Sequence, residues 1–411
     1  MTHQLSVLSP PGRELMELLA GEDVGPERAL ALAESLRGRY PPDVVAAALT
    51  QQALRIAARA KFSRADEMLF TRPGLEQASS ELAARHSAAR YAGARVVADL
   101  CCGIGGNLAA LAAGRRAIAV DLDFTSLQFA RHNAAVSHAA DGLTAVCADV
   151  RDLTLTAAGR GRAAGGPAGH RPVAGVDAVF IDPARRAGDR RLRAGHSEPP
   201  LAWCLELADR VPAVGIKAAP GLPHDLVPAG WEIEFLAIGR SLKEALIWSP
   251  ALATARRRAT VLSPAFPAGH TLISAPGPEV AVAAPGAFLL DPSPAITRAG
   301  LVQELARGLG AWKIDPMIAF LAADTPLRTP FARTLRVLES APWNEKQFAR
   351  TLRRLGIGAA DIRRRGLAGD VRQIHHRLGL RGDGRATIVI TRVSDRPWGL
   401  ICTGIGAEDR A

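Results

Sequence analysis

Three short apolar runs each end on an aspartate, and that repetition constrains the fold more than any other feature of the chain. The runs are residues 95–99, 117–121 and 143–149, closing on Asp99, Asp121 and Asp149. Helical spacing at residues 108–113 and 125–136 separates them. Strands alternating with helices fold into a parallel, doubly wound sheet. The carboxyl ends of parallel strands share one edge, where ligands bind. The three acids are therefore expected side by side on that edge. Between the first strand and its helix lies the turn Asp99-Leu-Cys-Cys-Gly103-Ile-Gly105-Gly106-Asn107. Glycines after a strand let the backbone pass close to a ligand. A dinucleotide site calls for G-x-G-x-x-G, and Leu108 stands where the last of those glycines belongs. Asp121 follows Gly103 at about the spacing of a ribose-holding carboxylate. Asp123 reads as an ordinary cap.

Further strands are expected at 176–182, 213–218, 231–238 and 244–248, with another at 257–262. Residues 27–36, 43–60 and 74–89 carry helical spacing, with Pro41 and Pro42 marking a boundary. Residues 159–172 are rich in Gly, Ala and Arg and read as a mobile loop. Residues 263–296 read as a linker or loose hairpin, and 295–309 as a helix. Beyond them, strands at 333–338, 361–367, 385–392 and 397–402 with helices at 345–355 and 370–378 give the order βαβαββ, a small α+β domain. The expected division is 1–92 helical, 93–265 sheet-bearing, 266–326 linker and helical segment, and 327–411 the α+β domain.

Hydrophobic residues form 48% of the 411, enough for sizeable cores. The apolar runs are too short or too charged to span a membrane. The first residues lack a signal-peptide pattern, so cytoplasmic location is expected. Five cysteines, an odd number without metal-ligand spacing, read as reduced thiols, and no metal is expected. Adjacent His375 and His376 would point apart on a helix, a poor metal pair. A net charge of +11 points to a polyanionic partner, nucleic acid first. Arg353–Arg354, Arg363–Arg365 and His375–His376 could give the tail a basic face, and solvated arginines are the plain alternative.

S-adenosylmethionine (SAM) carries a ribose, an adenine amino group, an ammonium and a sulfonium, all suited to a row of carboxylates. The segment Asp99 to Gly105 resembles the D-x-x-x-G-x-G motif of class I SAM-dependent methyltransferases. Cys102 to Asn107 is similar to the turn of trimethylguanosine synthases, and the whole chain resembles bacterial methyltransferases with a C-terminal THUMP-like domain. The resemblance implies a Rossmann-like α/β sheet, a helical N-terminal domain and a ferredoxin-like or THUMP-like tail. It implies SAM as cofactor and RNA, tRNA or rRNA, as partner. It also implies cofactor contacts: Gly103 and Gly105 pass the methionine part, Asp99 helps position its amino group, Asp121 binds the ribose hydroxyls and Asp149 the adenine amino group, with Cys101, Asn107, Leu122 and Val150 as further cofactor-binding residues. Lys61-Phe62 and Leu75-Glu-Gln77 resemble segments of the same family, with Gln77 reaching cofactor or substrate.

Phe180-Ile-Asp182-Pro183-Ala184-Arg185-Arg186 stands where that family faces its methyl acceptor. Asp182 and Pro183 match the base-amino methyltransferase pattern, whereas Ala184 and Arg185 replace its second proline and its aromatic. Asp-Pro-Ala-Arg is also similar to RNA 5-methyluridine methyltransferases, but 215–221 lacks their cysteine, which argues against covalent pyrimidine methylation. Transfer to nitrogen or oxygen is left, with Asp182 and Pro183 at the acceptor and Arg185 and Arg186 beside a phosphate. Lys243 and Glu244 read as a structural pair. Two alternatives stay open: a small-molecule or protein methyltransferase, and a non-catalytic RNA-binding module.

Overall fold

The computed structural model describes residues 3–159, 171–184, 186–187, 190–191 and 196–405. Most of the segment read as a mobile loop, residues 160–170, lies outside them. The chain has a mixed α/β fold and divides into two units. The first comprises Met1–Ile233, Glu244–Thr254 and Pro264–Ala268. The second comprises Glu234–Lys243, Ala255–Ser263 and Gly269–Ala411.

The sheet of the first unit holds β1 (Val96–Leu100), β2 (Arg116–Asp121), β3 (Leu143–Cys147), β4 (Ala178–Ile181) and β5 (Ala213–Ala218). They run parallel in the order β5-β4-β1-β2-β3. The order reverses between β1 and β4, the kind of switch point where a crevice opens at the carboxyl ends. Val97, Leu100, Phe180, Ile181 and Ile216 are fully buried, as strands covered on both faces require. A further strand, β6 (Ser241–Trp248), pairs with β5 antiparallel, Leu246 opposite Lys217. That corrects the all-parallel expectation. Only two residues separate β6 from the strand Glu232–Ile238, too few for the crossover that a parallel strand needs. Strands Leu153–Ala157 and Arg171–Val176, which form a parallel pair, were not anticipated.

Ahead of the sheet, helices Pro10–Leu18, Pro26–Leu36 and Pro42–Ala58 each open on proline, whose missing N–H costs nothing at a first turn. They pack around Leu15, Leu36, Val44, Ala48 and Leu54. The expected helix at 74–89 is two, Arg72–Gln77 and Glu81–Ala89, because Ser80 caps the second with its side chain. Leu75, Ile104 and Phe129 join the same core, tying this helical region to the glycine turn.

The second unit has a seven-stranded sheet. Its central strands, Ala332–Pro342, Arg396–Gly404 and Gly384–Val393, pair antiparallel, and Ile357–Arg364 adds a parallel edge. Helices Glu345–Arg354 and Val371–Leu378 set Phe348, Leu352, Ile374 and Leu378 against Ile388, Ile390 and Ile401. The order βαβαββ is that expected from the sequence. The stretch read as a linker contributes a buried strand, Phe288–Pro292, paired with Ala332–Pro342. The expected helix 295–309 is two, divided at Gly300, which adopts φ +67°.

Candidate active site

The site is a cavity of about 250 Å3 at the carboxyl ends of the first unit's strands. Its wall includes Cys101, Gly103 and Asn107 from the turn after β1, and Asp121 and Leu122 at the end of β2. Asp149 and Val150 follow β3, and Asp182 and Pro183 follow β4. Nine of the anticipated residues are thus brought to one surface. Asp99 and Gly105 are outside the wall.

The turn is built to pass close to a ligand. Cys101 (φ +56°) and Gly103 (φ +54°) reverse the chain through left-handed conformations. The Cys102 N–H donates to Val120 O (3.0 Å), fixing the turn to β2. A side chain on Gly103 would meet nothing, so its open face belongs to the cavity. Gly105 does something else: a Cβ there would stand 3.1 Å from Ala130 Cα, so its job is close packing on helix Phe124–Val136. Burial pushes the Cys101 thiol up, and Asp121 adds to that, which makes it a poor nucleophile.

The acids differ sharply in their surroundings. Asp99 is buried, and both its carboxylate oxygens are without a hydrogen-bond partner among the described residues. Burial, with Asp182 and Asp121 nearby, raises its carboxyl well above the usual range. Asp121 accepts from the N–H of Gly103 (2.7 Å) and of Asp123 (2.8 Å), and burial still raises it. Asp149 is held by Arg151 at 2.6 Å, a hydrogen bond that lowers its carboxyl, and Arg151 also reaches Glu198 at 2.7 Å. Asp123 caps helix Phe124–Val136, as the sequence suggested.

Asp182 receives a hydrogen bond from Lys217 Nζ at 2.6 Å. Lys217 lies on β5 and was not anticipated as a site residue. Glu244 pairs not with the exposed Lys243 but with Ser79 Oγ at 2.8 Å, and it lies 3.9 Å from Lys217. The reason is strand alternation: Lys243 and Glu244 face opposite sides of β6. Gly74, Gln77 and Ala78 also line the cavity, so the helical region completes its wall. Lys61 Nζ donates to the carbonyls of Leu75, Glu76 and Ala78, holding that segment. Ala184 and Glu198 exchange two backbone hydrogen bonds, of 2.8 and 2.9 Å, clamping the chain on either side of residues 185–197. Arg185 lies outside the described residues, and Arg186 is described only as backbone of a two-residue strand.

Three family models match: RNA cap guanine-N2 methyltransferase over residues 94–181, THUMP domain-like over 332–404, and a domain of unknown function over 5–58. Uncharacterized SAM-dependent methyltransferases from two strains of Mycobacterium tuberculosis are 36% identical over 336 residues, covering 80% of this chain and 85% of theirs. The chain belongs to this family of SAM-dependent methyltransferases. In fold it is similar to a protein of Porphyromonas gingivalis assigned as a methyltransferase, with a TM-score of 0.71 at 18% identity over 97% of both chains.

The cavity of this methyltransferase fits SAM. In its wall the buried amide oxygen of Asn107 is without a hydrogen-bond partner among the described residues, and the open face of Gly103 leaves room for a ligand beside it; the unpartnered carboxylate of Asp99 is buried close by, outside the wall itself. Among the described residues no group of three or more His, Cys, Asp or Glu is placed to hold a metal. No described helix is long and apolar enough to cross a membrane. On the tail, His375, His376, Arg353, Arg354, Arg363 and Arg364 are exposed, while Arg365 turns inward to Asp291.

Proposed function

We propose that this cytoplasmic enzyme transfers a methyl group from SAM to a nitrogen or oxygen of an RNA nucleotide. The observation that carries this reading is the Asp182–Pro183 edge, which lines the same cavity as Asp121 and Asp149. SAM, when bound, supplies the electrophilic methyl group. The chain aligns an acceptor lone pair with it. In this reading Asp99 provides the counter-charge for the methionine ammonium, and Cys101, Gly103 and Asn107 line the methionine. Asp121 holds the ribose hydroxyls, with Leu122, itself 71% exposed, as an apolar cover for the adenine. Asp149 and Val150 meet the adenine edge. Asp182 accepts a hydrogen bond from the acceptor's N–H or O–H and takes its proton on transfer. Pro183 fixes the chain direction beside it. The raised Cys101 thiol and the absence of cysteine on β5 argue for direct transfer rather than a covalent intermediate.

RNA is the acceptor class supported by the RNA methyltransferase and THUMP-like family models and by the net charge of +11, and tRNA or rRNA is the narrower class we propose. Arg185 and Arg186 would meet its phosphates. The test pairs calorimetric titration of SAM, on wild type and Asp121→Ala, with transfer of labelled methyl to total RNA from a strain lacking the gene. Binding lost in the variant and label in RNA support the reading. Label that enters only protein or small molecules overturns the RNA assignment.

A further inference from the structure

Neither the cofactor nor the acceptor reading uses Lys217. It is the fifth of the six residues of the otherwise apolar strand Ala213–Ala218 and is 2% exposed. A lysine ammonium taken out of water must be paired, or it would give up its charge. Its Nζ donates to Asp182 Oδ2 at 2.6 Å and to the Gln77 carbonyl at 3.1 Å, and forms a longer ion pair with Glu244 Oε2 at 3.9 Å. Glu244 is itself buried and takes the Ser79 hydroxyl at 2.8 Å. A continuous polar chain thus runs from Ser79 through Glu244 and Lys217 to Asp182, beginning in the segment between two N-terminal helices and ending at the cavity.

Asp182 needs such a support. It stands close enough to the buried Asp99 to add to the rise of that carboxyl. Two unsupported carboxylates so placed would repel each other, and Asp182 would swing toward water. Lys217 opposes this from the sheet side and leaves the other carboxylate oxygen for a ligand. Gln77 and Ala78 also line the cavity, so the segment that holds Lys217 shapes the wall as well.

We propose that Lys217 is a positioning residue for methyl transfer: it fixes the Asp182 carboxylate toward the acceptor, and residues 77–79 with Glu244 hold Lys217 in place. This rests on the reading of Asp182 as the acceptor-binding acid. The helical region is thereby part of the acceptor site.

The experiment is a double-mutant cycle on the full chain, with Asp182→Asn, Lys217→Met and the pair. Single-turnover transfer of labelled methyl to total RNA from a strain lacking the gene gives the rate, and calorimetry gives SAM affinity. Lys217→Met is expected to lower the rate about 100-fold with SAM affinity within about threefold of wild type, and the pair to be no slower than Asp182→Asn alone. Glu244→Gln, which keeps the shape, is expected to lower the rate about fivefold, and it carries the test should Lys217→Met fail to fold. Losses that multiply, or a Lys217→Met enzyme at the wild-type rate beside an impaired Asp182→Asn, overturn the role of Lys217 while the reading of Asp182 stands. An Asp182→Asn enzyme at the wild-type rate overturns both.

Discussion

Two buried aspartates, one in each unit, show how differently the chain treats the same side chain. Asp291, in the second unit, is met by Arg240 at 2.6 Å and Arg365 at 2.9 Å, and Arg365 stacks over the Phe320 ring at 4.7 Å. Asp99, in the first, has no partner on either oxygen among the described residues. The fold can surround a buried acid when its purpose is to hold structure together. Asp99 is left bare with two more acids for neighbours, as our proposal of a counter-charge for a bound cation requires. The contrast, on that proposal, is between a fastening and a binding group.

Three substitutions test that contrast. Asp99→Asn should weaken SAM binding about 100-fold or more in calorimetry, yet leave the ligand-free melting temperature unchanged or raised, because an isosteric amide removes a carboxylate that burial and its neighbours penalise. A large loss of ligand-free stability would erase the distinction. Asp291→Ala should do the reverse. It strands two arginines, both partly open to solvent, and is expected to cost about 2–3 kcal/mol in denaturant melts with SAM affinity unchanged. Weakest is Arg151→Ala. Arg151 is about half exposed and its pairs are largely screened, so a stability change under about 1 kcal/mol is expected.

The same contrast has a pH signature. The raised carboxyl of Asp99 binds a proton more readily folded than unfolded. Its contribution to ligand-free stability is therefore complete below about pH 4, near the unfolded value, and is lost as pH rises through the folded value. A cationic cofactor favours the ionised form. SAM affinity should rise with pH across that window, with proton release visible as a buffer-dependent binding enthalpy. Asp121, also raised, adds to it. Buffer dependence undiminished in Asp99→Asn would assign the released proton elsewhere.

The ends of β1, β2 and β3 were legible because strand, acid and turn are local signals that sit within a few residues of one another. Lys217 was not. Inside Ala213–Ala218 it reads as a single charge in an apolar run, and its partners Gln77, Asp182 and Glu244 are far away in sequence. Gly105 was legible as a glycine of the turn, but its close packing was not, because only the approach of Ala130, distant in sequence, reveals it. The strand Phe288–Pro292 lay hidden in proline-rich surroundings, since its support comes from pairing with Ala332–Pro342 and not from its own pattern. The break at Ser80 was in the sequence as a cap signal, overridden by helical spacing on both sides.

The clamp between Ala184 and Glu198 gives the molecule a socket. Two backbone hydrogen bonds between Ala184 and Glu198 close the neck, with Asp182 just before it and Pro199 just after. Lengthening a flexible insert across a closed neck is cheap, about 0.6 kcal/mol for each doubling. A segment grafted between Ala184 and Glu198 is therefore expected to leave that backbone pair, and the wall residues on either side of it, in place.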